Sequence, residues 1–275
     1  MGCTKAKSLI KIKDNLTFLD IITKQIERLD GNVPLILMNS INTEEDTKNS
    51  ITNSNIEVLH FNQSFLPRLD ENFKPYKTKF DKKEQDYWYP PGHGDIYNSL
   101  TSSGLVTKLK QKGIKYLFIS NSDNLGATFD SKILNFMQEN NIDFLMEVVP
   151  KSKADVKGGA LIKYMNKINL LEVAQVPDEN LEEFCDIKKF KYFNTNNIWI
   201  NIEKIDDNIS MEVIKNPKKL KDGRTAIQLE IAMGSAIKSF DKSVILEVPR
   251  SRFSPVKKCQ DLFLIQSNLF NLDQN

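Results

Sequence analysis

KYLFIS (115–120) is a continuous apolar run that ends in NSDNLG (121–126). SKILNFMQEN (131–140) follows, and then a second apolar run, DFLMEVV (143–149). Unbroken apolar runs of this length suit strands buried on both faces, because a strand with one wet face alternates apolar and polar residues. Asp130 can cap the helix that begins at Ser131, and its stripe of Ile133, Phe136 and Met137 is expected to face inward.

The same alternation continues on both sides. VPLILMNS (33–40) and IEVLHF (56–61) read as strands around TEEDTKNSI, whose early acids suit a helix start. GDIYNSLTSSGLVTKLKQKG (94–113) reads as one helix that stops at Gly113. ALIKYM and INLLEV (160–173) form a hairpin about Asn166-Lys167. DENLEEFCDI is a short acidic helix, and YFNTNNIWINI (192–202) and SVILEVP (243–249) are strands. Residues 225–240 form the clearest helix, with Leu229, Ala232, Met233, Ala236, Ile237 and Phe240 at helical spacing. Lys215 to Lys221 reads as a solvated loop, and Leu262, Ile265 and Leu269 share a face of a terminal helix. Strand–helix alternation of this kind predicts a three-layer α/β/α sandwich around a mixed, mostly parallel sheet. Ligands of such sheets sit outside the carboxyl ends of the strands.

Composition narrows the function classes. The chain has 275 residues, enough for one large domain or two small ones. Lys+Arg is 38 against Asp+Glu 36, a formal charge of +2. That balance argues against nucleic acid as the main partner. No apolar run approaches the roughly 20 residues that span a bilayer, so no membrane partner is expected. MGCTKAKSLI has no apolar signal core, and Ala6 stands where a myristoylation motif wants Ser or Thr. Cys3, Cys185, Cys259, His60 and His93 show no zinc spacing, and three scattered thiols suit a reducing, cytoplasmic setting.

Three strand ends carry chemistry. Asn121-Ser122-Asp123 follows KYLFIS, so Asp123 projects into the crevice. A lone carboxylate there is a good Mg2+ ligand when phosphates complete the shell, and the alternative is a loop or cap Asp. WYPPGHGD (88–95) has two prolines that stiffen the approach and two glycines that let backbone close on a ligand. A tight turn with Asp95 as helix cap is the plainer reading. Asn194, Asn196 and Asn197 stand inside a strand pattern, where Asn is depleted. Their amides either grip something rich in hydroxyls or satisfy a β-bulge. Lys5 and Lys7 at the start, and Arg250, Arg252, Lys257 and Lys258 after SVILEVP, suit phosphate neutralisation or a solvated face.

FNQSFLPR (61–68), WYPPGHGDIY (88–97), NSDNLGATFD (121–130), EVVPKSKADVKGGALI (147–162), LLEVAQVP (170–177), FNTNNIWI (193–200), QLEIAMGSAIKSF (228–240) and VPRSRFSPVK (248–257) resemble the eukaryotic UTP–glucose-1-phosphate uridylyltransferases, also called UDP-glucose pyrophosphorylases. The resemblance runs in order from Met1 to about Phe270. It implies a Rossmann-like nucleotidyltransferase fold of the glycosyltransferase-A kind, with residues 1–275 as a single catalytic domain. It also implies Mg2+-dependent transfer of UMP from UTP to glucose 1-phosphate, giving UDP-glucose and pyrophosphate. Carried over by position, Lys7 and Lys257 match the two phosphate-facing lysines and Asp123 the metal- and nucleotide-binding aspartate, with Asn121 beside it. Gln63 and Gly92 match uracil-binding positions. His93 and Asn196 match substrate- and sugar-contacting positions, and Gly159 and Glu172 border the sugar.

Two departures accompany the resemblance. In the family, a strand and a Leu-Asn-Gly-Gly-Leu-Gly-Thr string precede the Met-Gly-Cys at which this sequence begins, and Lys5-Ala6 replaces a Gly-Pro. The family's C-terminal β-helix domain, used for assembly, has no counterpart here, so no oligomer through it is expected. The resemblance therefore implies the central catalytic part, truncated at both ends. The alternatives are a non-catalytic nucleotide-sugar-binding paralogue and a uridylyltransferase for another sugar 1-phosphate.

Overall fold

The computed structural model describes residues 3, 5–51, 54–153, 155–206 and 208–270; the Met1-Gly2 start weighed for lipidation lies outside them. A short hairpin of β1 (Lys11–Lys13) and β2 (Leu16–Thr17) turns at Asp14 and Asn15, both at positive φ. It feeds α1 (Phe18–Glu27) through a reciprocal cap. Thr17 Oγ1 accepts from Asp20 N at 3.1 Å, and Thr17 N donates to Asp20 Oδ2 at 2.8 Å. α1 buries Phe18 and Ile21 with Ile12, Val256 and Ile265, so the two ends of the chain share one small core.

β3 (Leu35–Asn39) and β4 (Val58–Asn62) pair in parallel on either side of α2 (Glu44–Ser50) in the chain. β5 (Leu66–Pro67) pairs with β6 (Trp88–Tyr89). The stretch expected as one helix over 94–113 is two, α3 (Ile96–Ser102) and α4 (Leu105–Gln111), because Gly104 adopts a left-handed φ of 73° between them. Next come β7 (Tyr116–Ile119), α5 (Ser131–Glu139) and β8 (Phe144–Pro150). The hairpin β9 (Ala160–Tyr164) and β10 (Lys167–Leu171) follows, then the short α6 (Leu181–Phe184) and the long β11 (Tyr192–Asn201).

The main sheet has six strands in the order β10-β9-β11-β8-β14, with β7 also paired to β11 and β14 spanning Ser243–Glu247. β14 lies parallel to β8, while β11 runs antiparallel to β7, β8 and β9. The sheet is thus mixed: β7, β8, β9 and β14 run one way, and β11 and β10 the other. Burial on both faces follows from β8. Phe144, Met146 and Val148 join the α3 and α4 residues Leu100, Leu105 and Leu109 in one core, whereas Leu145 packs with Trp199 and the α5 residues Ile133 and Met137. Alternate side chains therefore enter opposite layers, and the three-layer α/β/α arrangement follows.

Four further expectations are corrected. Residues 225–240 are not a helix: β13 (Thr225–Ile231) pairs along its length with β12 (Val213–Lys219), and a 3-10 turn covers Met233–Ser239. Thr225, Ile227 and Ile231 are β-branched, and a hairpin partner outweighs a coincidental helical spacing. Lys215–Lys219 accordingly lies in a strand rather than a loop, with the turn at Gly223. Phe136 is 39% exposed, so the inward stripe of α5 is Ile133 and Met137 alone. The terminal helix, α7 (Cys259–Gln266), ends before Leu269, which is 79% exposed.

Candidate active site

β7 ends at Ile119, and the chain turns at once, Asn124 N donating to Asn121 O at 3.1 Å. Asp123 stands at this turn, beyond the sheet, with its side chain 15% exposed. Lys7, in the 3-10 turn Lys7–Leu9, forms an ion pair with its Oδ2. Residues 116 positions apart are therefore joined at one strand end. The backbone of Asp123 also accepts from Val256 N at 3.1 Å. That bond places the segment carrying Lys257 beside the same turn.

Lys257 extends over the Phe193 ring, its Nζ 5.8 Å from the centroid. Its charge reaches two titratable neighbours. His93 is held below the ordinary imidazole value, chiefly by burial and then by the Lys257 cation. Its Nδ1 accepts from Met233 N at 3.1 Å, so the neutral ring carries its proton on Nε2 and presents a donor. Burial pushes Glu172 above the usual carboxylate range, against the opposing pull of Lys257 and Lys151. Gly159 lies against this carboxylate: a Cβ there would sit 2.7 Å from Glu172 Oε1.

The WYPPGHGD loop is built on the end of β13. Gly92 has φ of 93°, and a Cβ on it would lie 2.9 Å from Ile231 O, so only glycine fits. Asp95 does not cap α3. It is buried, and its Oδ2 accepts from Ser64 N and Ser99 Oγ, both at 2.5 Å. This ties the Gln63-Ser64 end of β4 to the His93 loop. Gln63 Oε1 is buried without a hydrogen-bond partner, as are Arg68 Nε and Trp88 Nε1.

The asparagine cluster is a β-bulge whose amides bond within the protein. β11 has a register break between Asn194 and Ile198, with Asn196 at φ of 62°. Asn194 Nδ2 donates to Asn196 Oδ1, and Asn196 N donates to Asn194 Oδ1, each at 2.9 Å. Thr195 and Asn197 instead face Glu147, on the opposite side of the strand.

The structure thus joins Lys7 to Asp123, the Lys257 segment to Asp123, and Lys257 to His93 and Glu172 through its field. Gly92 and Gln63 frame the adjoining loop. Among the described residues no cluster of three His, Cys, Asp or Glu side chains is poised to hold a metal. Lys151 went unrecognised in the sequence. It is 8% exposed, its Nζ donates to Gly158 O at 3.0 Å and lies 4.8 Å from the Phe184 centroid, and burial lowers its pKa. Its only signal was a lysine directly after an apolar strand.

The family described as UTP–glucose-1-phosphate uridylyltransferase matches residues 1–275. The chain is 52% identical over 285 residues to the UTP–glucose-1-phosphate uridylyltransferase of Solanum tuberosum, covering 99% of this chain and 59% of that one. It is 47% identical over 289 residues to that of Saccharomyces cerevisiae, covering 99% and 58%. Among solved structures, the UDP-glucose phosphorylase of Trypanosoma brucei superposes with a TM-score of 0.87 at 38% identity, over 100% of this chain and 65% of the other. The L281D variant of the Leishmania major UDP-glucose pyrophosphorylase, in complex with UDP-glucose, gives 0.89 at 34%, over 100% and 64%. The chain therefore spans about three fifths of the length of the curated relatives it matches. On that match over its whole length, the chain belongs to the UTP–glucose-1-phosphate uridylyltransferase family.

Proposed function

We propose that this chain carries the uridylyl-transfer centre of such an enzyme, converting UTP and glucose 1-phosphate to UDP-glucose and pyrophosphate. The observation that carries the reading is the meeting of Lys7, Asp123 and the Lys257 segment at one strand end. In this reaction a phosphate oxygen of glucose 1-phosphate bonds to the α-phosphorus of UTP as the bond to the bridging oxygen breaks, and pyrophosphate leaves with that electron pair. The nucleophile is already ionised, so no general base is required. The protein's work is to position two anions and offset their charge.

Lys7 and Lys257 do so from two sides. Gln63 Oε1 accepts the uracil imide N–H, and Gly92, packed on Ile231 of β13, holds the neighbouring loop in place. The Nε2–H of His93 donates to the sugar phosphate, and Asn196, Gly159 and Glu172 border the sugar, with Asn121 beside the nucleotide. One carboxylate, Asp123, fits Mg2+, an ion that takes most of its oxygens from phosphates and water rather than a protein cage. Bound there, Mg2+ would neutralise charge on the phosphates.

The test is product analysis of the purified chain with Mg2+, UTP and glucose 1-phosphate, by anion exchange. UDP-glucose and pyrophosphate in equal amounts support the reading. Binding of UDP-glucose without turnover would favour the non-catalytic binder, and faster turnover with another sugar 1-phosphate would change the substrate. Among the described residues no helix is long and apolar enough to cross a membrane.

A further inference from the structure

Glu147 is fully buried in β8, on the face covered by α5, where a carboxylate is costly unless every lone pair is engaged. Four donors engage it. Arg252 supplies two through a bidentate fork, Nε to Oε2 at 2.8 Å and an NH2 group to Oε1 at 2.6 Å. Trp199 Nε1 donates to Oε1 at 2.8 Å and Asn197 Nδ2 to Oε2 at 3.0 Å.

The Arg252 head also reaches the Asp123 loop, donating to Thr128 O at 2.9 Å. Its carbonyl accepts from Asn124 Nδ2 at 3.0 Å, and Ser254 N donates to Asn124 Oδ1 at 2.9 Å. Val256 N closes the seam on Asp123 O. The two loops are in contact throughout: a Cβ on Gly126 would lie 2.2 Å from Ser251 O. Arg252, one half of the buried ion pair, thus makes two of these ties itself, and the other two lie two and four residues along its chain.

We propose that Arg252, locked to Glu147, is a positioning residue that sets Lys257 in register with Asp123. The proposal rests on the reading of those two as phosphate-facing groups. A buried ion pair adds little net stability over an apolar pair of the same volume, but it fixes geometry, and a planar fork does so where a lysine cannot. Displacing a charged group by about 1 Å from a reacting phosphate costs roughly 100-fold in rate.

Two measurements on the purified chain test this. By amide hydrogen exchange without ligand, Arg252→Lys should raise exchange at Ser254 and Val256 at least about tenfold while β8 and β11 stay protected. Unchanged protection at those two amides would overturn the latch. In turnover, Arg252→Lys and Lys257→Ala should each cost about 100-fold, and the double variant no more than the worse single, because Arg252 acts through Lys257. Full additivity would overturn the latch while leaving the Lys257 reading intact. Parent-like turnover of Lys257→Ala would instead sink that reading, with exchange still judging the latch. If Arg252→Lys does not fold, Gly126→Ala spreads the same loops and is read in the same two ways.

Discussion

Lys7 and Asp123 pair beyond the end of β7, and each is the other's charge partner. On the proposed function, a triphosphate entering here would offer Lys7 a denser anion and free the carboxylate for a cation. Removing Lys7 should therefore act with opposite signs on two ligands. Lys7→Met should weaken UTP about tenfold, as loss of one charge-assisted contact does. It should tighten Mn2+ alone several-fold, measured by paramagnetic resonance of free Mn2+. Weaker binding of both would contradict the competition.

Lys257 and Lys258 are neighbours with different surroundings. Both are exposed and both donate their N–H to Asp261 Oδ2, at 2.9 and 2.7 Å, but Lys257 lies over Phe193 and its charge reaches His93 and Glu172, whereas Lys258 stands at the start of α7. Lys257→Ala should lower kcat about 100-fold and Lys258→Ala less than about threefold. Equal losses in steady-state kinetics would reject the assignment.

Gly92→Ala combines a forbidden φ with a 2.9 Å approach to Ile231 O. The expected cost is about 1–3 kcal/mol, read as a lower denaturation midpoint, with weaker UTP binding as the loop shifts. A variant as stable as the parent would show that the loop conformation is not strained by a side chain.

His93 titrates below its ordinary value of 6.5 in the fold. The unfolded chain therefore binds the proton first as pH falls past 6.5. The contribution of His93 to stability is complete above that pH and is lost below it, down to the folded value. Glu172, raised by burial, acts the other way, its contribution being lost as pH rises through its folded value, and His60 acts with His93. The difference between parent and His93→Gln isolates the histidine. Urea midpoints between pH 5 and 7 should rise less steeply for the variant, and parallel curves would contradict a buried neutral His93.

Much of this was legible in the sequence where physics is local. β7 and β8 announce themselves as unbroken apolar runs, Asp130 caps α5 through Lys132 N at 2.9 Å, and Asp123 follows its strand directly. Pairing over distance was not legible. β13 passes for a helix until β12 is beside it, and Glu147 looks like a polar interruption until Arg252, 105 positions away, arrives. The proton position on His93 depends on the Met233 amide, 140 positions on, and no spacing rule encodes it. The Asn194–Asn197 run was ambiguous for a physical reason: a bulge sends alternate amides to opposite faces, so one stretch serves local backbone and Glu147 at once.

The central claim is that Asp123 serves phosphate and metal chemistry rather than the fold. It stands past the end of β7, outside the buried cores, so Asp123→Asn keeps its shape and removes only the charge. Pyrophosphate release with Mg2+, UTP and glucose 1-phosphate is the direct measurement. The expected result is a loss of about 1,000-fold or more with an unchanged denaturation midpoint. Turnover within a few-fold of the parent would contradict the account.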